Sequence, residues 1–156
     1  MSAQAQDYSA DHESMDAILE VLYEVISGPQ GQARDWDRFR ALFVEGARLM
    51  PTGVNPETGI AGMRIWSPDD YIEMAGARLM EMGFFEQEIH RVTEQYGPIV
   101  HVFSTYESRR AADDPEPFVR GINSIQLLND GQRWWIVSIY WSGETPANPL
   151  PSEYGG

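Results

Sequence analysis

No cysteine occurs in the 156 residues, which excludes a disulfide, a thiolate metal centre and a cysteine nucleophile together. Basic side chains are scarce, 11 against 24 acidic ones, for a formal net charge of -13. Such a surface repels phosphate backbones and anionic lipid headgroups, so neither nucleic acid nor a membrane is expected as a partner. The first seven residues show no basic region followed by an apolar one, and no run of about 18 apolar residues occurs anywhere. A cytoplasmic location is the expectation. A Gly-rich phosphate loop, a Ser nucleophile elbow and a nucleotide motif are all missing, so no cofactor is expected. His12, His90 and His101 stand at no metal-ligand spacing, and no metal site is expected.

What is present suffices for a core: 42% of the residues are hydrophobic and 12% aromatic, in a length typical of one domain. Residues 1–13 are small and polar and read as a loose arm, residues 14–145 as the single domain, and residues 146–156, with Pro146, Pro149 and Pro151, as an extended tail able to pack through Leu150 and Tyr154. Ser14 is a helix cap, and Ile18, Val21, Leu22, Val25 and Ile26 form one stripe before Gly28-Pro29. Asp35 caps a second predicted helix, with Phe39, Leu42 and Phe43 on one face and an end near Gly46. A short strand over 47–50, a turn at Pro51-Thr52-Gly53 and a returning strand over 60–66 follow. Ser67-Pro68-Asp69-Asp70 opens a third helix, whose apolar face takes Tyr71, Ile72, Ala75, Leu79 and Met80 and which stops at Gly83.

Beyond Gly83 four antiparallel strands are predicted, over 84–96, 99–109, 118–128 and 133–142, turned by Gly97-Pro98 and Asn129-Asp130-Gly131. Strict alternation assigns their faces. In the last strand Trp135, Val137, Ile139 and Trp141 share one side, while Trp134, Ile136, Ser138 and Tyr140 share the other. A three-residue loop at 129–131 sets Asn123 beside the Trp141 side, whereas a two-residue turn sets Arg120, Ile122, Ser124 and Gln126 there; the first register gives the more apolar row. In the preceding hairpin, Ile89, Arg91 and Thr93 fall with Val100, Val102, Ser104 and Tyr106. The fold class is therefore α+β: three N-terminal helices packed in the concave face of a strongly bent antiparallel sheet.

This order of elements, with the ending Gly131-Gln132-Arg133-Trp134-Trp135-Ile136-Val137-Ser138-Ile139-Tyr140-Trp141-Ser142, resembles the nuclear transport factor 2-like superfamily, and within it the SnoaL-like branch. Asp35 to Phe43, Phe103 to Glu107 and Arg120 to Leu127 resemble a bacterial subgroup without settled activity. The resemblance spans roughly residues 14 to 145. It implies a cystatin-like cone with a mostly antiparallel mixed sheet, often dimeric through the outer sheet face, in a superfamily that includes isomerases, dehydratases, cyclases, hydrolases and non-catalytic assembly modules. A ketosteroid isomerase-like site needs a tyrosine and an acid for the oxyanion and a carboxylate base. Tyr23 matches the first, while strict alternation sets no two acids on one inner row.

The inner row gives the candidate ligand-binding set Arg91, Ser104, Tyr106, Asn123 and Trp141. Arg91 reads as an anchor for a carboxylate-bearing ligand or as half of an ion pair with Glu88 or Glu107. Tyr106 and Asn123 suit a carbonyl or hydroxyl, and Trp36, Trp66 and Trp141 suit a cavity wall or plain core. His90 and Glu107 suit acid/base chemistry by residue type but face outward in this register. The expected function is a small-molecule pocket for a hydrophobic carbonyl- or carboxylate-bearing metabolite, handled without a cofactor, in a cavity of about a few hundred Å³. The alternative is a non-catalytic homodimeric module joined through the outer sheet face, suggested by the two aromatic sides of the last strand.

Overall fold

The computed structural model describes residues 6–156. Of the arm expected over 1–13, residues 1–5 lie outside the described residues, and the rest is docked rather than loose. A 3-10 turn at Ser9–His12 buries Asp11 and His12, because Arg38 clamps both Asp11 oxygens, at 2.7 and 3.0 Å.

Ser14 caps helix α1 (Met15–Ile26) by accepting from the Ala17 amide at 3.0 Å, and its apolar stripe is buried as the spacing predicts. Asp35 likewise caps α2 (Trp36–Arg40), but that helix is one short turn and does not run to Gly46. Strand pairing wins over helix propagation here: Leu42 accepts a bond from the Ile136 amide at 2.8 Å and Phe43 pairs with Ile136.

Strand β1 (Phe43–Val54) therefore starts earlier and ends later than predicted, and it passes through Pro51-Thr52-Gly53 without turning. The chain reverses instead at Asn55, whose side chain accepts from the amides of Glu57 and Thr58. The returning strand β2 keeps only Ala61–Met63, plus an isolated bridge from Trp66 to Leu49. Helix α3 (Pro68–Met82) has the Ser67/Asp70 capping box and ends at Gly83, φ 67°. Met80, expected on its apolar face, is exposed.

Strands β3 (Phe85–Tyr96), β4 (Ile99–Arg109), β5 (Val119–Asn129) and β6 (Trp134–Gly143) match the four long predicted strands. The sheet order is β2-β1-β6-β5-β4-β3, with β1 parallel to β6 and the other pairs antiparallel. It is a mixed, unclosed six-stranded sheet. The helices fill its concave face, where Phe39, Ile18, Leu42, Val100, Val102, Ile125 and Ile136 are almost wholly inaccessible.

Two one-residue bulges reset the alternation. At β6 the Leu128↔Trp135 and Leu127↔Ile136 pairs give way to Gln126↔Ser138, so Val137 is skipped and Ile136 turns inward with Ile139 and Trp141. The loop before β6 is also longer than either predicted turn, since Asn129 pairs with Trp134. Asn123 nevertheless lies opposite Trp141, because the longer loop and the bulge each shift the register and together restore the parity. At β3 the pairs Glu88↔Tyr106 and His90↔Thr105 skip Ile89. Ile89, expected on the inner row, stands exposed instead.

The tail does not leave the body. Thr105 donates to the Tyr154 carbonyl at 2.8 Å, Tyr154 meets Phe103 edge-on at 5.2 Å, and the Leu150 amide donates to Glu144 at 3.0 Å. These contacts lay the tail over the middle of the outer sheet face.

Candidate functional site

The bulge at Ile89 is what builds the site. A strand that kept its alternation through Ile89 would send Glu86 and Glu88 outward; skipping one residue turns both onto the row of Arg91, opposite Ser108 and Tyr106. Two acids thus share the inner face, which overturns the strict-alternation expectation. Nothing short of the bulge position reveals this, and a Glu-x-Glu pair next to Ile-His-Arg carries no local mark of one.

A cavity of about 120 Å³ lies between helices and sheet, lined by Leu22, Ile26, Phe39, Leu49, Phe84 and Ile139, with Tyr71, Glu86, Tyr106, Asn123 and Trp141 as its polar and aromatic members. It is smaller than the few hundred Å³ expected: Phe39 and Tyr71, stacked at 5.3 Å, line it from the helical side and take up part of the space. An apolar cavity of roughly 150 Å³ holds one benzene ring, so the space suits an occupant of about that size.

Among the described residues, Glu86 is the one ionisable group in this wall other than the tyrosines. Burial pushes its carboxyl up to about 7, against hydrogen bonds from Ser108 and Asn123 that favour the anion. The Ser108 hydroxyl donates to it at 2.8 Å. Burial, and then the nearby Glu86 charge, also pushes the Tyr71 and Tyr106 phenols up, which keeps both as neutral donors at physiological pH. The Tyr106 hydroxyl rests over Gly121, where a Cβ atom on that residue would approach it to 2.6 Å; only glycine leaves room for the phenol there.

Of the sequence-derived set, Tyr106, Asn123 and Trp141 line the cavity; Arg91 and Ser104 do not. Ser104 is inward and buried, but it is engaged by Tyr23 at 2.7 Å and donates to Glu88. Arg91 is an ion-pair residue: it reaches Glu88 at 2.7 Å and Asp16 at 2.5 Å, so the carboxylate-anchor expectation loses its cation. Buried Arg34 is no substitute, since it donates to the carbonyls of Ile26, Gly28 and Leu79. Trp36 and Trp66 are core: Trp36 packs on Phe39 and Gly76, and Trp66 on Tyr71. His90 lies on the outer face beneath Gly155, and Glu107 is held by Arg109 and Gln87.

All eleven basic residues are arginine, so a lysine Schiff base is excluded. Among the described residues no group of three or more His, Cys, Asp or Glu side chains is close enough to hold a metal ion, and no helix is long and apolar enough to cross a membrane.

A bent, open sheet holding three helices and a small polar-tipped cavity defines a cone-shaped α+β protein. The solved structures it resembles carry the cystatin-like, nuclear transport factor 2-like fold, and this chain has that fold. One is a protein of unknown function with a cystatin-like fold from Nostoc punctiforme: TM-score 0.59, 11% identity, 89% of this chain and 98% of that one covered. A nuclear transport factor 2-like protein of unknown function from Silicibacter pomeroyi gives TM-score 0.55 and 18% identity over 83% of this chain and 92% of that one. Another, from Methylobacillus flagellatus, gives 0.53 and 12% over 85% and 95%. No protein-family model matches the chain, and no curated protein matches it.

Proposed function

We propose that the chain binds a small, neutral, hydrophobic molecule bearing a carbonyl or hydroxyl group in the inner cavity, without a cofactor. The observation that carries this reading is one carboxyl, Glu86, set in an apolar wall that, among the described residues, offers two phenols and an amide but no free cation, so that burial pushes its pKa up to about 7. A charged carboxylate ligand would meet Glu86 with nothing to compensate it. If the pocket is catalytic, its chemistry is a proton transfer of the isomerase or dehydratase kind. Glu86, ionised above pH 7, removes a proton from the carbon next to the carbonyl, and Tyr71 or Tyr106 donates to the oxygen that gains charge.

Cyclopentanone and cyclopentanecarboxylate, titrated in parallel by NMR, test the reading. The ketone is expected to shift resonances of Tyr106, Asn123 and Ile139, with affinity reduced about tenfold in Asn123→Ala and in Tyr106→Phe, as fits the loss of one buried hydrogen bond. Equal affinities in the parent and both variants, or tighter binding of the carboxylate, overturn it.

A homodimer through the outer sheet face is the second reading. It is supported by Val92 and Tyr140, which stay 41% and 44% exposed on that face. Sedimentation as a monomer at micromolar concentration overturns it.

A further inference from the structure

Among the described residues, Asn123 is the only side chain that belongs both to the cavity wall and to a buried hydrogen-bond chain ending at the surface. From the cavity outward the groups are Asn123, Tyr23, Ser104, Glu88, Arg91 and Asp16. Asn123 Nδ2 lies 3.0 Å from the Tyr23 hydroxyl, and that hydroxyl lies 2.7 Å from Ser104 Oγ. Ser104 bonds Glu88, Glu88 pairs with Arg91 at 2.7 Å, and Arg91 pairs with the exposed Asp16. Ser104, Tyr23 and Asn123 are all buried, so none can turn to water for another partner.

The direction of such a chain is decided at whichever end can act in one sense only. Tyrosine and serine hydroxyls donate or accept, and a carboxamide presents an acceptor at one end and a donor at the other. A carboxylate held by a guanidinium can only accept. The single Ser104 proton must therefore point to Glu88, which leaves Ser104 Oγ free only to accept from Tyr23. Tyr23 then has no proton left and accepts from Asn123. Each step follows from the one before, and the last fixes which end of the amide faces Tyr23.

We infer that Glu88, which takes no part in lining the cavity, is a positioning residue: its charge, passed through Ser104 and Tyr23, holds the Asn123 amide nitrogen toward Tyr23 and so sets which atoms of that amide the cavity and Glu86 meet. The inference deepens the proposed pocket and rests on that reading for its functional meaning alone. It also narrows the occupant. With one N–H proton taken by Tyr23, Asn123 has its other N–H and its carbonyl to share between Glu86 and an occupant, so the oxygen of a carbonyl or hydroxyl ligand is met by an amide N–H and by the phenols of Tyr71 and Tyr106.

Glu88→Gln is the test, because a glutamine can donate. The chain is then free to reverse: Gln donates to Ser104, Ser104 to Tyr23, and Tyr23 to the Asn123 oxygen, which rotates the amide. In the ligand-free parent, the Asn123 side-chain amide protons are expected to show nuclear Overhauser contacts to the Tyr23 ring. In Glu88→Gln those contacts fall away, and the Glu86 titration midpoint, read by carboxyl carbon NMR, rises by about one pH unit as Glu86 loses an amide donor. Glu88→Asp keeps a carboxylate and is expected to retain the parental pattern.

Ser104→Ala cuts the chain while leaving the charge. It is expected to raise the midpoint by itself and to abolish any further effect of Glu88→Gln. This second variant also decides the matter should Glu88→Gln fold poorly. Unchanged amide contacts and midpoint in Glu88→Gln, or the same shift with and without Ser104, overturn the inference. Every reading is taken without ligand, so failure of cyclopentanone to bind bears on the proposed function and not on this chain.

Discussion

The two ends of the inner face treat a carboxyl in opposite ways. Around Glu88 there is a guanidinium at 2.7 Å, itself tied to Asp16 at the surface. Around Glu86, two residues earlier on the same row, there are phenols, a serine and an amide, and no cation among the described residues. Charge at the first end is compensated and serves to orient neighbours. At the second it is penalised by burial, which brings the group to a midpoint near neutrality. The lesson is that residue type and row do not determine the role of an acid; the next shell of partners does.

The largest way to break this contrast is to remove its cause. Deleting Ile89 takes out the bulge, so either Glu86 and Glu88 swing outward or the distal half of β3 does. With Phe85 and Gln87 then competing for the inner row, a loss of about 4 kcal/mol is expected in urea denaturation.

Next comes the titration of Glu86. Its carboxyl is raised from 4.5 to about 7 on folding, so the native state holds its proton more tightly than the unfolded chain. The stability linked to it is fully present below pH 4.5 and is lost as pH rises through 7, a loss of about 3 kcal/mol. Glu86→Gln is expected to abolish that fall, making the variant relatively more stable at pH 8 than at pH 4.5 when the two are compared by denaturant midpoints. A parallel decline in both proteins sinks the assignment.

Arg91→Ala tests the other end. It leaves the Glu88 carboxylate half-buried without its cation, and about 2 kcal/mol of destabilisation is expected after allowance for the 23% exposure of Arg91. The smallest effect is expected outside the sheet: Tyr154→Ala, which removes an edge-on contact with Phe103, should cost about 1 kcal/mol in the same measurement.

Much of the frame was legible. Ser14, Asp35 and the Ser67/Asp70 pair mark helix starts by chemistry that acts within four residues, and each cap forms as the sequence predicts. The four long strands also follow from local composition. Other features were not legible: the end of α2, the length of β1 and the docked turn at Asp11 and His12 depend on partners far along the chain, such as Ile136 and Arg38. For the site, Tyr106, Asn123 and Trp141 were found through parity, whereas Glu86 was missed because a bulge reverses parity and leaves no signature in its own residues.

By itself the sequence determined where helices begin, which segments extend, and that disulfide, thiolate and lysine Schiff-base chemistry are excluded, because these depend on residue identity and on neighbours a few positions away. Only the tertiary structure decided which side of each strand meets the core, which acid keeps a cation and how large the cavity is. Those outcomes rest on strand register and on packing between distant segments, and a shift of one residue is enough to reverse them.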